Sequence, residues 1–187
     1  ALRDKQLEDY LKNKEKLSNL SSEKNDELIK ELTKQIISLG GKPTVDETDQ
    51  KSLIKNLTKQ LDTLSVKSIL NDKTKNKIKD EEIKDIKIRF QNVDGLPPKE
   101  LRKLVDNGKK DLGEGIVVVF ASKDDKVGVA VGITDKLTSK FDAVKLVKLS
   151  SEIIGGQGGG GRKDFAQAGG QDQSKINEAI AKIKSLI

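Results

Sequence analysis

GGQGGGGRKDFAQAGG, residues 155–170, is the most informative segment of this chain and holds eight of its sixteen glycines. Glycine reaches positive φ and lets another molecule come close to backbone N–H groups, but each glycine costs conformational entropy to order. The run is consistent with a flexible linker, with a tight packing loop between two helices, or with a backbone surface for a polyanion. Ordered-looking sequence follows the run, which argues against a flexible linker. We favour the polyanion surface, with Arg162 and Lys163 at its edge.

The composition argues against one large compact core. Charged residues make up 35% of the 187 residues and apolar residues 34%, with one Tyr, four Phe and no Trp. Such a chain suits elongated helices with a thin apolar seam, together with a modest globular unit.

Several classes of function are excluded by residues that the chain lacks. Without Cys or His, it can form no disulfide, no Cys/His metal site and no Ser-His-Asp or Cys-His catalytic group. No stretch approaches the ~18 apolar residues of a membrane span, and no signal-peptide pattern opens the chain. The absence of Met, even at position 1, suggests a fragment of something larger.

The net charge of +6 is unevenly distributed. Residues 1–85 carry 18 Lys and Arg against 17 Asp and Glu, whereas residues 86–187 carry 18 against 13. The excess therefore lies in the half that contains the glycine run. A positive excess fits a nucleic-acid surface.

The first half of the sequence predicts two amphipathic helices. Apolar residues recur at three- and four-residue spacings over residues 1–39. Gly40-Gly41-Lys42-Pro43 is a typical helix stop, and Thr44 with Glu47 fits a capping box that begins a second helix. A short connection between long helices favours an antiparallel, coiled-coil-like hairpin. We expect its seam to contain Leu32, Ile36, Leu53, Leu57 and Leu61.

A domain boundary is predicted within residues 71–85, which are highly charged. This composition is typical of a solvated, mobile linker, although its lysines could also contact RNA. The predicted domains are residues 1–83 and residues 84–187.

Strand-like and helix-like segments alternate in the second half, which predicts a small mixed α/β domain and, with the hairpin, an α+β fold. Strands are expected at Ile86–Phe90, Gly115–Phe120 and Lys126–Ile133, the last two as a hairpin. Helices are expected from Pro97 to about Asp111, at Asp142–Ile154 and at Ser174–Ile187.

The glycine-rich segment resembles a signature near the C-terminus of alanyl-tRNA synthetases, in a domain shared with DHH-type phosphoesterases. The usual form has Pro after the Arg and Met after the Asp, where this chain has Lys163 and Phe165. Its glycine run is one residue longer. The order of elements from about Ile86 to Ile187 is also similar, and the resemblance implies a helical hairpin followed by a globular α/β unit.

The resemblance implies a tRNA-binding domain of an alanine–tRNA ligase, a class II aminoacyl-tRNA synthetase, and no enzyme activity in this chain by itself. In that family the region contacts the tRNA elbow and helps the aminoacylation and editing domains to engage one tRNA. The implied partners are alanine tRNA and upstream domains of the same polypeptide. Because the region can also carry dimerisation, a homodimer through the leucine stripe is an alternative role.

The same resemblance assigns ATP, magnesium and zinc to other domains of the parent enzyme. We therefore expect no cofactor, no metal and no catalytic residue in this chain, and a cytoplasmic location.

Candidate site residues come from the glycine-rich segment. Bare glycine backbone permits close approach, Arg162 and Lys163 offer donors to phosphate, and Gln167 can hydrogen-bond a base or sugar. Solvated cations and an internal loop contact by Gln167 remain alternatives. Phe165 either stacks on a base or is buried. The residues predicted to bind RNA are Gly155, Gly156, Gly158, Gly159, Gly160, Gly161, Arg162, Lys163 and Gln167. The residues predicted to be structural are Asp164, Gly169 and Gly170. Asp164 would accept hydrogen bonds from N–H groups of the loop.

Overall fold

The computed structural model describes residues 21–46 and 49–187. Its backbone contacts form two compact units that divide between Ser68 and Ile69. The fold is a mixed α+β one, as predicted. Its helices are α1 (described over residues 21–38), α2 (Gln50–Asn71), α3 (Leu101–Leu112), α4 (Ala143–Ile153) and α5 (Ile176–Ser185). Its strands are β1 (Asn76–Ile83), β2 (Ile86–Asp94), β3 (Ile116–Lys123), β4 (Lys126–Ile133), β5 (Gly159–Arg162) and β6 (Phe165–Gly170).

The first unit is held together by a small apolar cluster between α1 and α2. Leu32, Ile36 and Leu57 are buried, and half-buried side chains pack against them. This cluster contains all five residues expected in the seam. The end of α1 also follows the sequence prediction, because Gly40 takes a positive φ of 76° and the Gly41 N–H donates to the Ile36 carbonyl.

The predicted antiparallel direction of the two helices is wrong. At the beginning of α2, the Gln50 amide donates to Asp26 Oδ1 at 2.7 Å and accepts from Asn25 Nδ2 at 3.3 Å. Near the other end, Leu64 lies so close to Gly41 that a Cβ there would not fit. The beginnings of both helices are therefore adjacent, and the helices run parallel.

The connecting segment explains how this is possible. Its backbone passes alongside α2, where the Thr44 N–H donates to Gln60 Oε1 at 3.2 Å. An extended chain advances about 3.3 Å per residue, twice the ~1.5 Å rise per helical residue, so the segment can return to the level at which α1 begins.

The predicted capping box at Thr44 and Glu47 is also wrong, because α2 begins at Gln50 and the Asp49 carboxylate accepts from the Ser52 N–H at 2.9 Å. Glu47 and residues 1–20 lie outside the described residues.

The second unit is built on a six-stranded sheet with the order β1-β2-β3-β4-β6-β5. All neighbouring strands are antiparallel except β2 and β3, which are parallel and are connected through α3. A parallel pair needs such a crossover, and α3 supplies it. The hairpin predicted between β3 and β4 is confirmed, and Asp124 and Asp125 at its turn take the positive φ values typical of a two-residue turn.

Helices cover both faces of this sheet. Gly108 and Gly132 leave room for close contact between α3 and the sheet, since a Cβ on either would collide with Val117 or Val105. On the opposite face, Val118, Phe120 and other alternate residues of β3 and β4 form one core with α4 and α5. Each strand of the sheet centre is therefore buried on both faces, which explains its continuous apolar sequence.

The linker predicted at residues 71–85 is wrong over most of its length. Residues 76–83 form β1, which pairs with β2 from end to end. Lys84 and Asp85 form the tight turn between the two strands, with φ values of 48° and 66°. Because β1 is an edge strand, most of its charged side chains stay in solvent while its backbone pairs on one side. The boundary between the units accordingly falls near the end of α2 and not at residues 83–84.

Substitution of Ile36 by Ala should destabilise the first unit far more than the same substitution at Ile37. Ile36 is 0% exposed in the helix cluster, whereas Ile37 is 58% exposed. We expect a loss of about 2–5 kcal/mol for Ile36→Ala, the usual cost of a large-to-small change in a core. For Ile37→Ala we expect a change within about 0.5 kcal/mol.

The measurement is urea unfolding followed by circular dichroism. Equal effects of the two substitutions would contradict the assignment of Ile36 to the cluster.

Candidate nucleic-acid interface

The glycine-rich segment forms a β-hairpin at one edge of the sheet. Gly159–Arg162 is strand β5, which pairs with β6 and places Gly160 opposite Gln167. Lys163 and Asp164 make the turn between the strands. The glycines thus form neither a flexible linker nor a loop packed between two helices, and only residues 154–158 form the connection from α4.

A buried serine holds this connection in place. Ser151 Oγ, at the end of α4, donates to the Gly169 carbonyl at 2.8 Å and accepts from the Gly158 N–H at 3.2 Å. A Cβ on Gly156 would collide with both Ser151 and Gly169. Gly155 and Gly158 take positive φ values of 74° and 105°. Each of these three glycines therefore has a structural reason to be glycine, and their predicted contact with RNA stays a prediction.

Within β5, neighbouring glycines differ in what the fold requires. A Cβ on Gly159 would collide with Ala168, and one on Gly161 would collide with Phe165 and Ala166. A Cβ on Gly160 would meet no atom within 4 Å, and its φ lies outside the left-handed region. The fold therefore gives no reason for glycine at position 160, which leaves bare backbone facing open space.

This open backbone belongs to a groove between the hairpin and the segment around the start of α3. The groove has a volume of ≈ 490 Å³, within the ~300–1,000 Å³ typical of ligand sites. It faces the α3 side of the sheet, because Ala166 points into the core on the other side. Its lining consists of Lys99, Arg102, Gly160, Gly161, Arg162, Phe165 and Gln167.

Three cationic side chains and one aromatic ring give the groove its chemistry. Arg162 donates to both oxygens of Asp164, at 3.1 and 3.2 Å, and its side chain is 72% exposed. Arg102 places its guanidinium over the Phe165 ring, with Cζ 5.0 Å from the ring centroid. Phe165 therefore lies under Arg102 as part of the groove wall.

Asp164, at the hairpin turn, carries the carboxylate that pairs with Arg162. Partial burial raises the pKa of Asp164, but the hydrogen bond from Arg162 and further contacts with its own N–H and with cations outweigh this, so the pKa lies below its ordinary value. The backbone carbonyls of the two turn residues also anchor the turn, since Lys163 O accepts from the Ala143 N–H and Asp164 O from the Ile133 N–H. Asp164 is thus ionised at neutral pH and offsets part of the Arg162 charge.

The structure gathers some of the predicted site residues and separates others. Gly160, Gly161, Arg162 and Gln167 line the groove, whereas Lys163 is exposed at the turn. Gly169 and Gly170, predicted as structural, lie at the end of β6, where Gly169 accepts from Ser151 and Gly170 packs closely on Ile154.

Sequence reasoning missed Lys99 and Arg102. They precede the hairpin by about sixty positions and come from the short turn and helix that follow Pro97. No motif surrounds them, and only the crossover of α3 over the sheet brings them to the hairpin.

The fold and the glycine hairpin define a known class of domain. The DHHA1 domain family matches residues 85–187, more than half of the chain, so the chain belongs to this family. The resemblance noted in the sequence is thereby confirmed.

Among its relatives are alanine–tRNA ligases. The ligase of Bradyrhizobium diazoefficiens is 48% identical over 104 residues, which are 55% of this chain and 12% of that protein. The ligase of Mesorhizobium japonicum is 53% identical over 96 residues, 51% of this chain and 11% of that protein. The chain therefore spans a small part of these relatives.

A solved structure agrees with this assignment. The crystal structure of the C-Ala domain from Aquifex aeolicus alanyl-tRNA synthetase aligns with a TM-score of 0.55 and 29% identity. The alignment covers 58% of this chain and 96% of that one.

The described part of the chain has no cluster of three or more acidic, His or Cys side chains that could hold a metal ion. None of its described helices has the length and apolar character needed to cross a membrane.

Alanine substitutions at Gly159 and Gly160 should differ in their effect on stability, because only Gly159 is required by packing. Gly159→Ala is expected to destabilise the second unit by about 1–3 kcal/mol, the usual cost of overpacking, because the new methyl group collides with Ala168. Gly160→Ala has open space and should leave stability unchanged or raise it by up to about 1 kcal/mol. Thermal unfolding of both variants measures this, and a large loss with Gly160→Ala would mean that the fold does require glycine there.

Proposed function

We propose that this chain is the tRNA-binding module of an alanine–tRNA ligase and that the groove beside the glycine hairpin is its RNA contact. The family and the alanine–tRNA ligase relatives support the class of protein. The finer roles, contact with the tRNA elbow and assistance to aminoacylation and editing by other domains in the cytoplasm, are part of the proposal. That this chain holds no cofactor stays a prediction.

The observation that carries the proposal is the open backbone of Gly160 beside the exposed guanidinium of Arg162. A phosphate can approach a strand closely only where no side chain stands in the way. Arg162 presents a planar group suited to phosphate. Its side of the ion pair with Asp164 is exposed to solvent, so a phosphate can compete with Asp164 at little cost. Lys99 and Arg102 add positive charge to the opposite wall.

The charge arrangement favours recognition of RNA shape over sequence. Phosphate contacts position a protein on RNA without reading bases, and folded RNA loops expose phosphates in a fixed arrangement. Arg89 makes an instructive contrast, since ion pairs with Asp80 at 2.7 Å and Asp111 at 2.8 Å tie it to β1 and α3 and leave its side chain 15% exposed. Arg89 is therefore structural, whereas Arg162 is available.

The test is a titration of the chain with alanine tRNA over a series of salt concentrations. Arg162→Ala should weaken binding about five- to a hundredfold, the range for loss of one charge-assisted contact, and lower the salt slope by close to one unit. Gly160→Ala should also weaken binding while remaining stably folded.

The matched control is Lys182→Ala, which removes an exposed cation from α5 on the opposite face of the sheet. If Lys182→Ala weakened binding as much as Arg162→Ala does, the attraction would be diffuse and the groove would not be the site.

A second candidate function is homodimerisation through the helical unit. It is favoured by the exposed side chains of Leu28 and Leu39, which are 44% and 38% exposed and lie about three helical turns apart along the first helix and its final turn. Leu28→Asp combined with Leu39→Asp should convert a dimer into a monomer in sedimentation velocity. Lys30→Asp, at an exposed position of the same helix, should not, and a wild-type chain that sediments as a monomer would rule this candidate out.

A further inference from the structure

We infer that the groove also holds one unpaired nucleobase, stacked on the guanidinium plane of Arg102. This inference rests on the proposed function, since it specifies how RNA occupies the same groove. It assigns a separate role to Arg102 and Phe165, which the phosphate contact at Arg162 does not use.

The arrangement of Arg102 is the first observation. Its guanidinium lies over the Phe165 ring, with Cζ 5.0 Å from the ring centroid. Its remaining partner is Asp106, 4.0 Å from Nε, a long ion pair between exposed groups. The side chain is 62% exposed and lines the groove, so a ligand in the groove can reach the guanidinium. Phe165 thus holds a long, flexible side chain in one orientation and presents a flat surface to the groove.

A flat guanidinium surface selects a base over a phosphate. Guanidinium groups are planar and weakly hydrated, so they stack on π-systems from both sides. A base entering the groove would form a three-layer stack with Arg102 in the middle and Phe165 beneath it. Arginine planes and aromatic rings are the surfaces on which proteins stack the splayed bases of RNA.

The opposite wall supplies contacts for the rest of a nucleotide. Gln167 offers an amide NH₂ that donates and a carbonyl oxygen that accepts, which match the polar edge of a base. Gly160 lies opposite Gln167 in the strand register and leaves space beside it. Arg162, two residues further along β5, can take the adjoining phosphate. One groove therefore offers a stacking surface for the base, a partner for its polar edge and a partner for its phosphate.

The base must be unpaired. In an A-form duplex the bases are stacked on their neighbours and their faces are inaccessible, so a side chain can stack on a base only where a loop, bulge or end splays it out. The groove should therefore distinguish RNA loops from duplex, even though phosphate contacts alone would bind both.

The test uses two RNA probes of equal length and charge, a stem–loop that carries 2-aminopurine in its loop and a blunt duplex. Wild-type chain should quench the 2-aminopurine fluorescence and bind the stem–loop more tightly than the duplex. Arg102→Lys keeps the charge but removes the planar surface, so it should weaken stem–loop binding about five- to a hundredfold, the range for one stacked base. Duplex binding and the salt slope should remain unchanged.

Two further variants guard against misinterpretation. Phe165→Leu keeps an apolar side chain but removes the ring that orients Arg102, and it should reduce both the quenching and the preference for the stem–loop. Lys103→Ala removes the neighbouring exposed cation of α3, which pairs with Glu100, and should change neither. Thermal unfolding of each variant verifies that the second unit remains folded.

The outcomes separate this inference from the proposed function. If Arg162→Ala weakened binding of both probes while Arg102→Lys bound like wild type, the base would not stack on Arg102 and the groove would bind phosphate alone. If wild-type chain bound neither probe nor tRNA, the proposed function would fail and this inference with it. Loss of fluorescence quenching in Arg102→Lys, with duplex binding intact, is the result that supports the stacked base.

Discussion

The buried hydroxyl of Ser151 joins three parts of the chain, since it bonds the Gly169 carbonyl and the Gly158 N–H from the end of α4. These contacts are possible only because Gly156 and Gly170 have no Cβ where the backbones come together. Through them α4 fixes the glycine hairpin against the sheet core, and β6 pairs with β4 in the register that points Phe165 and Gln167 toward α3. This close approach therefore sets the hairpin wall of the groove, and the crossover of α3 supplies the wall with Lys99 and Arg102.

Glycine serves two different purposes within one short run. Gly156, Gly159 and Gly161 are glycine because a side chain would collide with the adjoining backbone, and Gly155 and Gly158 because of their positive φ. Gly160 satisfies neither condition and leaves a gap beside two arginines and an aromatic ring. A single run of identical residues can thus combine packing that the fold needs with a space that a ligand needs, and only the contacts of each glycine tell them apart.

Charge in this chain is also divided between structure and surface. Arg89 is held by two carboxylates and ties β1 to α3, and the hydrogen bond that Arg89 donates to Asp80 is the main reason that the pKa of Arg89 lies above its ordinary value. Glu81 similarly accepts from Lys184 and connects β1 to α5. The side chains of Arg162 and Arg102 are instead exposed themselves, at 72% and 62%. Because exposed ion pairs contribute little to stability, these two arginines can exchange their partners for RNA.

Local patterns in the sequence predicted strands β2, β3 and β4 and the three helices of the second half, but not β5 and β6. They also predicted the end of α1 at Gly40, the seam of the first unit and the family, because periodicity, turn residues and the glycine signature are local in the chain. Three features depended on tertiary structure. Residues 76–83 became a strand because β2 offered a partner, which a local charge pattern cannot reveal. The helices of the first unit run parallel because their connection is long enough to return, and helix patterns are the same in either direction. Lys99 and Arg102 entered the groove because α3 crosses over the sheet, a contact between distant positions that no spacing in the sequence records.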